Sequence, residues 1–246
     1  MRALPPLRHW PDAARRRLTK LSQWPPVGGV RFGSLRRVTP ISDEFGFERG
    51  LPIDRYYIEQ FLGEHAACIR GRVLEVGDST YTTTFGSGGA VEQIDILDVD
   101  AGNPHATLIA DLTEPGQFPS RVFDCVICTQ TLPYIYDVHA AVGTLHRILR
   151  PGGTVLATVS CVSRTWTKGD RLFGDYWRFT SRSSRLLFEE FFGPHDVLVA
   201  SYGNVLSAAS FLYGLATSEL RREELDFHDP GVPLLIGIKA QRQPER

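Results

Sequence analysis

From Leu51 onward the hydrophobic positions change period several times. Tyr56, Tyr57, Ile58, Phe61 and Leu62 recur at helical spacing in a stretch that runs from Arg55 to Ile69. That spacing predicts one amphipathic helix, ended by Gly71. The run Val73-Leu74-Glu75-Val76 then reads as a short buried strand, followed by a Gly/Ser/Thr-rich stretch over 77–89. Residues 91–99, 106–110 and 123–128 predict three further strands, the last strongly apolar. Residues 138–149 form an amphipathic pattern stopped by Pro151-Gly152-Gly153, with a fifth strand over 154–159. An irregular segment over 161–180 leads to a helix over 183–192 and a sixth strand over 196–201. A helix over 205–220, capped by Asn204, and a seventh strand over 234–240 complete the pattern. Strands alternating with helices predict an α/β fold: a doubly wound, mostly parallel seven-stranded sheet with helices on both faces. Such sheets bind ligands outside the carboxyl ends of their strands.

The first 45 residues depart from this pattern. They form a basic, Pro-rich extension, with Arg15, Arg16, Arg17 and Lys20 on a short predicted helix and WPPVGG as a breaker. The run is short and lacks interleaved aromatics, so it reads as a solvated arm rather than a nucleic-acid site. The main domain is expected over 46–246. The 42% hydrophobic content of the whole chain is enough for a packed core. A formal charge of −1 gives no reason to expect nucleic acid as a partner. No apolar run is long enough for a membrane span, and the N-terminus lacks the apolar core of a signal peptide. A cytoplasmic protein is expected. Cys125 and Cys128 make a CxxC, but within the buried-strand pattern FDCVIC and without a second ligand pair, so no metal is expected.

Four landmarks carry candidate chemistry. The first is Val73-Leu-Glu-Val-Gly-Asp78, a strand running into an acid and a glycine. The second is the acidic end of the second strand, Asp95-Ile-Leu-Asp98-Val-Asp100. Asp98 lies about twenty residues past Gly77, the spacing of a ribose-binding acid. The third is Ala110-Asp111-Leu112. The fourth is FDCVICTQTLPYIYD followed by LHRILRPGGTVLATV. In this order the landmarks resemble the class I S-adenosylmethionine-dependent methyltransferases, over roughly Leu51 to Ala240. The bacterial branch that acts on metabolites and sugars, the type 11-like methyltransferases, is the most similar.

The resemblance implies a Rossmann-like domain with S-adenosylmethionine as cofactor. It implies that Glu75, Gly77 and Asp78 order the loop and the methionine end. Asp98, with Asp100 close behind, would take the ribose, and Asp111 and Leu112 the adenine. Thr129 and Gln130 would lie beside the cofactor. Tyr134 stands where many members carry a His facing the transfer site. The chain has Ser79 and Tyr81 where the family's later glycines belong. A phosphate-cradling loop needs small residues there, so a dinucleotide-dependent oxidoreductase is disfavoured.

The segment after the fifth strand, 166–180, contains Asp170 and the run Asp175-Tyr-Trp-Arg-Phe-Thr180, familiar in the same branch. Arg178 is a candidate clamp for a carboxylate or phosphate, and Tyr176 or Trp177 for stacking on a ring. The competing account makes the run a loop anchor, with Thr180 capping the next helix. Tyr57, and Tyr56 beside it, are candidates to close over the cofactor. The expected function is methyl transfer to a small molecule or saccharide, with oxygen as acceptor. The alternative is a catalytically degenerate scaffold of the same fold in a polysaccharide pathway. No residue stands out in the sequence as a general base.

Overall fold

The structure, a computed structural model, describes residues 24–86, 89–166 and 174–244. The predicted basic helix with Arg15 to Lys20, and Asp170, lie outside the described residues. The chain divides into two compact units after Thr39. In the smaller, a single turn of 3-10 helix spans Gly33–Leu35, and the Arg36 guanidinium lies over the Phe32 ring. Residues 40–45 belong to the larger unit, because Phe45 stacks there on Trp166 and Phe211.

The larger unit is a seven-stranded sheet in the order β3-β2-β1-β4-β5-β7-β6. Its strands are β1 (Gly71–Val76), β2 (Val91–Asp98), β3 (Leu108–Ile109), β4 (Phe123–Thr129), β5 (Leu149–Ser160), β6 (Val197–Tyr202) and β7 (Leu235–Gln241). Strands β1 to β5 pair in parallel, while β7 runs antiparallel to both β5 and β6. The helices are α1 (Ile53–Glu64), α2 (Thr80–Phe85), α3 (Val138–Ile148), α4 (Ser181–Phe192), α5 (Val205–Tyr213) and α6 (Arg222–Asp226). Two buried clusters flank the sheet. One gathers α3 and α4 with Val126 and Cys128 of β4, the other α1 and α5 with Cys125 and Ile127. This is the doubly wound, Rossmann-like arrangement the periodicities predict.

Several elements differ from the sequence pattern. Helix α1 ends at Glu64, and a 3-10 turn over Ala66–Cys68 replaces its expected last turns. Helix α5 stops at Gly214, which takes the left-handed conformation only glycine adopts at low cost, so residues up to 220 are not helical continuation. Strand β3 keeps two of its five expected residues. Pro151-Gly-Gly does not stop α3. It forms a register shift inside β5, between the Phe123 and Cys125 pairings of β4. The Gly/Ser/Thr-rich stretch contains α2, a helix without an apolar repeat.

Candidate functional site

The site begins where β1 ends. Glu75 is buried, and its carboxylate accepts the backbone N–H groups of Tyr81 (3.0 Å) and Thr82 (2.7 Å). A helix start exposes unpaired donors, so a strand-end carboxylate fixes α2 from outside it. Burial pushes the Glu75 pKa up, against the pull of these bonds. Gly77 follows at φ +92°, and a Cβ built there would meet nothing within 4 Å, because it would project into open space. Asp78 accepts from Thr80 N–H and, with Ser79, faces a separate shallow pocket. Tyr81 points away from Gly77, stacking on Phe85 while its hydroxyl accepts from Arg55. The two residues standing in for glycines therefore leave the space beside Gly77 open.

That space is a cleft of about 780 Å³ at the carboxyl ends of β1, β2 and β4. Gly77, Asp98, Asp111, Leu112 and Gln130 all line it. Asp98 accepts from Asp100 N–H and from the Asn103 amide, and the same amide donates to the Gly77 carbonyl. Asn103 thus ties the β1 and β2 loops together, a role the sequence pattern did not signal. Each Asp98 oxygen keeps a free lone pair for a ligand hydroxyl. Asp100 accepts from Gly102 N–H and lies outside the cleft lining. Oδ1 of Asp111 holds both the N–H and the hydroxyl of Thr113, leaving Oδ2 for a ligand, while its own N–H donates to Gln117.

Thr129 ends β4 and is placed outside the cleft lining. Gln130 next to it adopts φ +50°, a strained conformation for a residue with a side chain, fixed by its N–H bond to the Thr158 carbonyl. Gln130 and Tyr134 line both the cleft and a second, smaller pocket of about 370 Å³. The second pocket has walls of Phe45, Phe47, Trp166 and Phe211, with Asp54 and Arg55 from the first turn of α1. Arg55 donates to Tyr81 and lies over the Phe47 ring. Burial raises the Asp54 pKa, outweighing the nearby Arg55 charge. Burial likewise raises the Tyr134 phenol.

The run Asp175 to Thr180 divides its roles. Arg178 lines the second pocket, but its guanidinium forks Asp175 (2.5 and 2.9 Å) and also donates to the Arg164 carbonyl. Trp177 donates to the carbonyls of Ile135 and Tyr136, and Thr180 caps α4. Tyr176 faces the cleft and is half exposed. Most of the run therefore anchors the segment. Tyr57 is placed in the core rather than on the cleft, its hydroxyl donating to the Leu225 carbonyl. It shares the stripe of Ile53, Phe61 and Leu62, so the helical period carries it inward. Tyr56 donates to Asp226 at the surface.

The Asp175 carboxyl, 4% exposed, is held below its ordinary range, first by the Arg178 guanidinium. A depressed folded-state pKa gives stability that is present above the unfolded value and lost as pH falls through the folded one. Asp175→Asn is therefore expected to cost about 1–2 kcal/mol at pH 7, allowing for the solvent around Arg178. Thermal melts of the two proteins should converge only as pH falls below the ordinary carboxylate range, through the depressed Asp175 value.

Cys125 and Cys128 sit in opposite clusters, on opposite faces of β4, and cannot share a metal. Burial raises both thiols, Cys128 to about 12. Among the described residues no group of three potential ligands converges on a metal site, and no helix is long and apolar enough to cross a membrane.

The strand order, the glycine at the end of β1 and the acid at the end of β2 define a protein of the class I methyltransferase fold. Residues 66–157 match the model of a methyltransferase domain family, a similarity that covers that part of the chain. Among solved structures, a SAM-dependent methyltransferase from Archaeoglobus fulgidus is 13% identical. The alignment covers 82% of this chain and 100% of that one, with a TM-score of 0.52. The [4+2]-cyclase SpnF is 14% identical over 77% of this chain and 82% of its own, with a TM-score of 0.50. No curated protein matches by sequence. One fold thus carries a methyltransferase and a cyclase, so the reaction has to be argued from the site.

Proposed function

We propose that the protein is an S-adenosylmethionine-dependent methyltransferase that methylates an oxygen of a small molecule or saccharide. The observation that supports it most is the pair of adjoining cavities divided by Gln130 and Tyr134. Transfer between two reactants needs two sites meeting at one boundary, and one cleft opening on the strand ends is not enough. Gly77, Asp98 and Asp111 suit the cofactor: an open approach to the backbone, an acid for the ribose and an acid for the adenine amine. When bound, S-adenosylmethionine supplies an electrophilic methyl on a positive sulfur. The protein holds the ribose and base, positions the acceptor through the second pocket and keeps water from the boundary between them. Four free cysteines are in keeping with a reducing bacterial cytoplasm.

Titration calorimetry with S-adenosylmethionine and S-adenosylhomocysteine tests the proposal. Micromolar binding is expected, weakened about 10–100-fold in Asp111→Ala, the loss of one or two charge-assisted bonds. Absence of binding by either ligand to folded wild-type protein would defeat the enzyme and leave a degenerate scaffold as the better account. The orientation of Ser79 and Tyr81, away from the cleft, counts against that scaffold.

A further inference from the structure

We propose that Asp54 is the proton acceptor for transfer, and that the acceptor is a neutral aromatic ring bearing a hydroxyl, seated in the second pocket. This rests on the methyl-transfer function proposed above and names its base and its substrate class.

The pocket has an aromatic wall. Phe45 stacks on Trp166 at 5.6 Å and on Phe211 at 5.8 Å, so the three rings pack together as one apolar surface. Flat aromatic walls favour a flat apolar occupant. Its volume of about 370 Å³ suits a compact molecule rather than a polymer segment. The charges cancel in pairs: Asp54 with Arg55, and Asp175 with Arg178. Among the described residues that line the pocket no surplus cation remains to hold an anionic acceptor; the Arg164 guanidinium lies against the Phe45 ring, outside the lining. A sugar's hydroxyls would find partners only on the polar side of the pocket, at Gln130, Ser160 and Ser163, and none along the aromatic wall, where a ring packs without loss.

Asp54 is the acid of this pocket, and its carboxylate has no hydrogen-bonded side-chain partner among the described residues. Asp175, Asp95 and Asp124, by contrast, are each paired with an arginine. The groups around it are Arg55 on the same helix, Tyr81 of α2 through Arg55, Tyr134 at the boundary, and the Arg178–Asp175 pair beyond it. Burial makes it a stronger base than a surface carboxylate, better matched to a phenolic proton. In the step, the hydroxyl proton passes to an Asp54 Oδ as the substrate oxygen forms its bond to the methyl carbon. The sulfur–carbon bond breaks with its electron pair staying on sulfur. The products are the methyl ether, neutral thioether and protonated Asp54, which returns its proton to solvent.

The test uses full-length protein loaded with S-adenosylhomocysteine and the probe 7-hydroxycoumarin, whose phenol and phenolate absorb differently. The first step, S-adenosylhomocysteine binding by wild type, judges the underlying function separately. The probe is expected to bind and to quench Trp166 fluorescence, with the quenching lost in Trp166→Phe. In Asp54→Asn the bound probe should ionise about one pH unit or more lower, because a negative charge beside its hydroxyl is gone. Asp54→Glu should restore the wild-type ionisation. With S-adenosylmethionine, Asp54→Asn should lose about 10²–10⁴-fold in turnover at unchanged cofactor affinity. Identical probe ionisation in wild type and Asp54→Asn would overturn the role of Asp54. Binding of methyl glucoside but not of the coumarin would overturn the aromatic acceptor.

Discussion

Gly77→Val is expected to weaken S-adenosylhomocysteine binding at least about 100-fold while leaving the protein folded. Gly77 has φ +92° and its N–H is bonded to the Leu97 carbonyl, so the backbone cannot relax into an ordinary conformation without breaking the join between β1 and β2. A β-branched residue at that angle costs about 1–3 kcal/mol in strain. Nothing in the protein collides with a Cβ there, which confines the folding penalty to strain alone. The same open space is part of the 780 Å³ cleft, and the valine methyls would occupy it. Calorimetry should show the loss of binding, and a thermal melt a fall of roughly 2–4 °C per kcal/mol of strain. Wild-type affinity in the variant would mean that the β1 loop does not touch the cofactor.

The sheet was legible in the sequence because its central strands are buried on both faces and read as unbroken apolar runs. FDCVIC, for instance, has Cys125, Val126, Ile127 and Cys128 all buried. What escaped is what long-range contacts decide. TYTTTF has no apolar repeat, and becomes α2 because the Glu75 carboxylate gathers two N–H groups of its first turn. The end of α5 was set by Gly214, whose packing against Ser42 leaves no room for a Cβ. Residues from five separated segments line the cleft, and the landmarks supply Gly77, Asp98, Asp111, Leu112 and Gln130 among them. Glu75, Asp78, Asp100 and Thr129 fall outside its lining, each one or two positions from a residue that faces inward.

Asp54 was invisible for a different reason. An acid in the first turn of a helix has an ordinary explanation in the helix dipole. Only the aromatic residues Phe45, Trp166 and Phe211 make it a half-buried part of a pocket lining. Tyr57 was the opposite case, an aromatic that drew attention by its chemistry although its place in the Ile53–Phe61 stripe already assigned it to the core. The position of Asp54 therefore depends on how α1 is seated on the sheet.

That seating is expected to fail in Phe61→Ala, with a loss of about 3–5 kcal/mol. Phe61 is fully buried between α1 and the sheet, edge-on to Tyr202 and to His65. It rests on Gly237 of β7 so closely that a Cβ there would come within 2.5 Å of its ring. Gly237 is required for space, since its backbone is not in the left-handed region. Gly237→Ala alone should therefore cost about 1–3 kcal/mol by overpacking. The two changes address one volume and should not add. Phe61→Ala with Gly237→Ala is expected to recover about 0.5–3 kcal/mol over the sum of the single losses. Denaturant melts of the four proteins measure this directly. Strict additivity would mean that α1 is held by its other contacts, with the Phe61–Gly237 meeting incidental to where Asp54 sits.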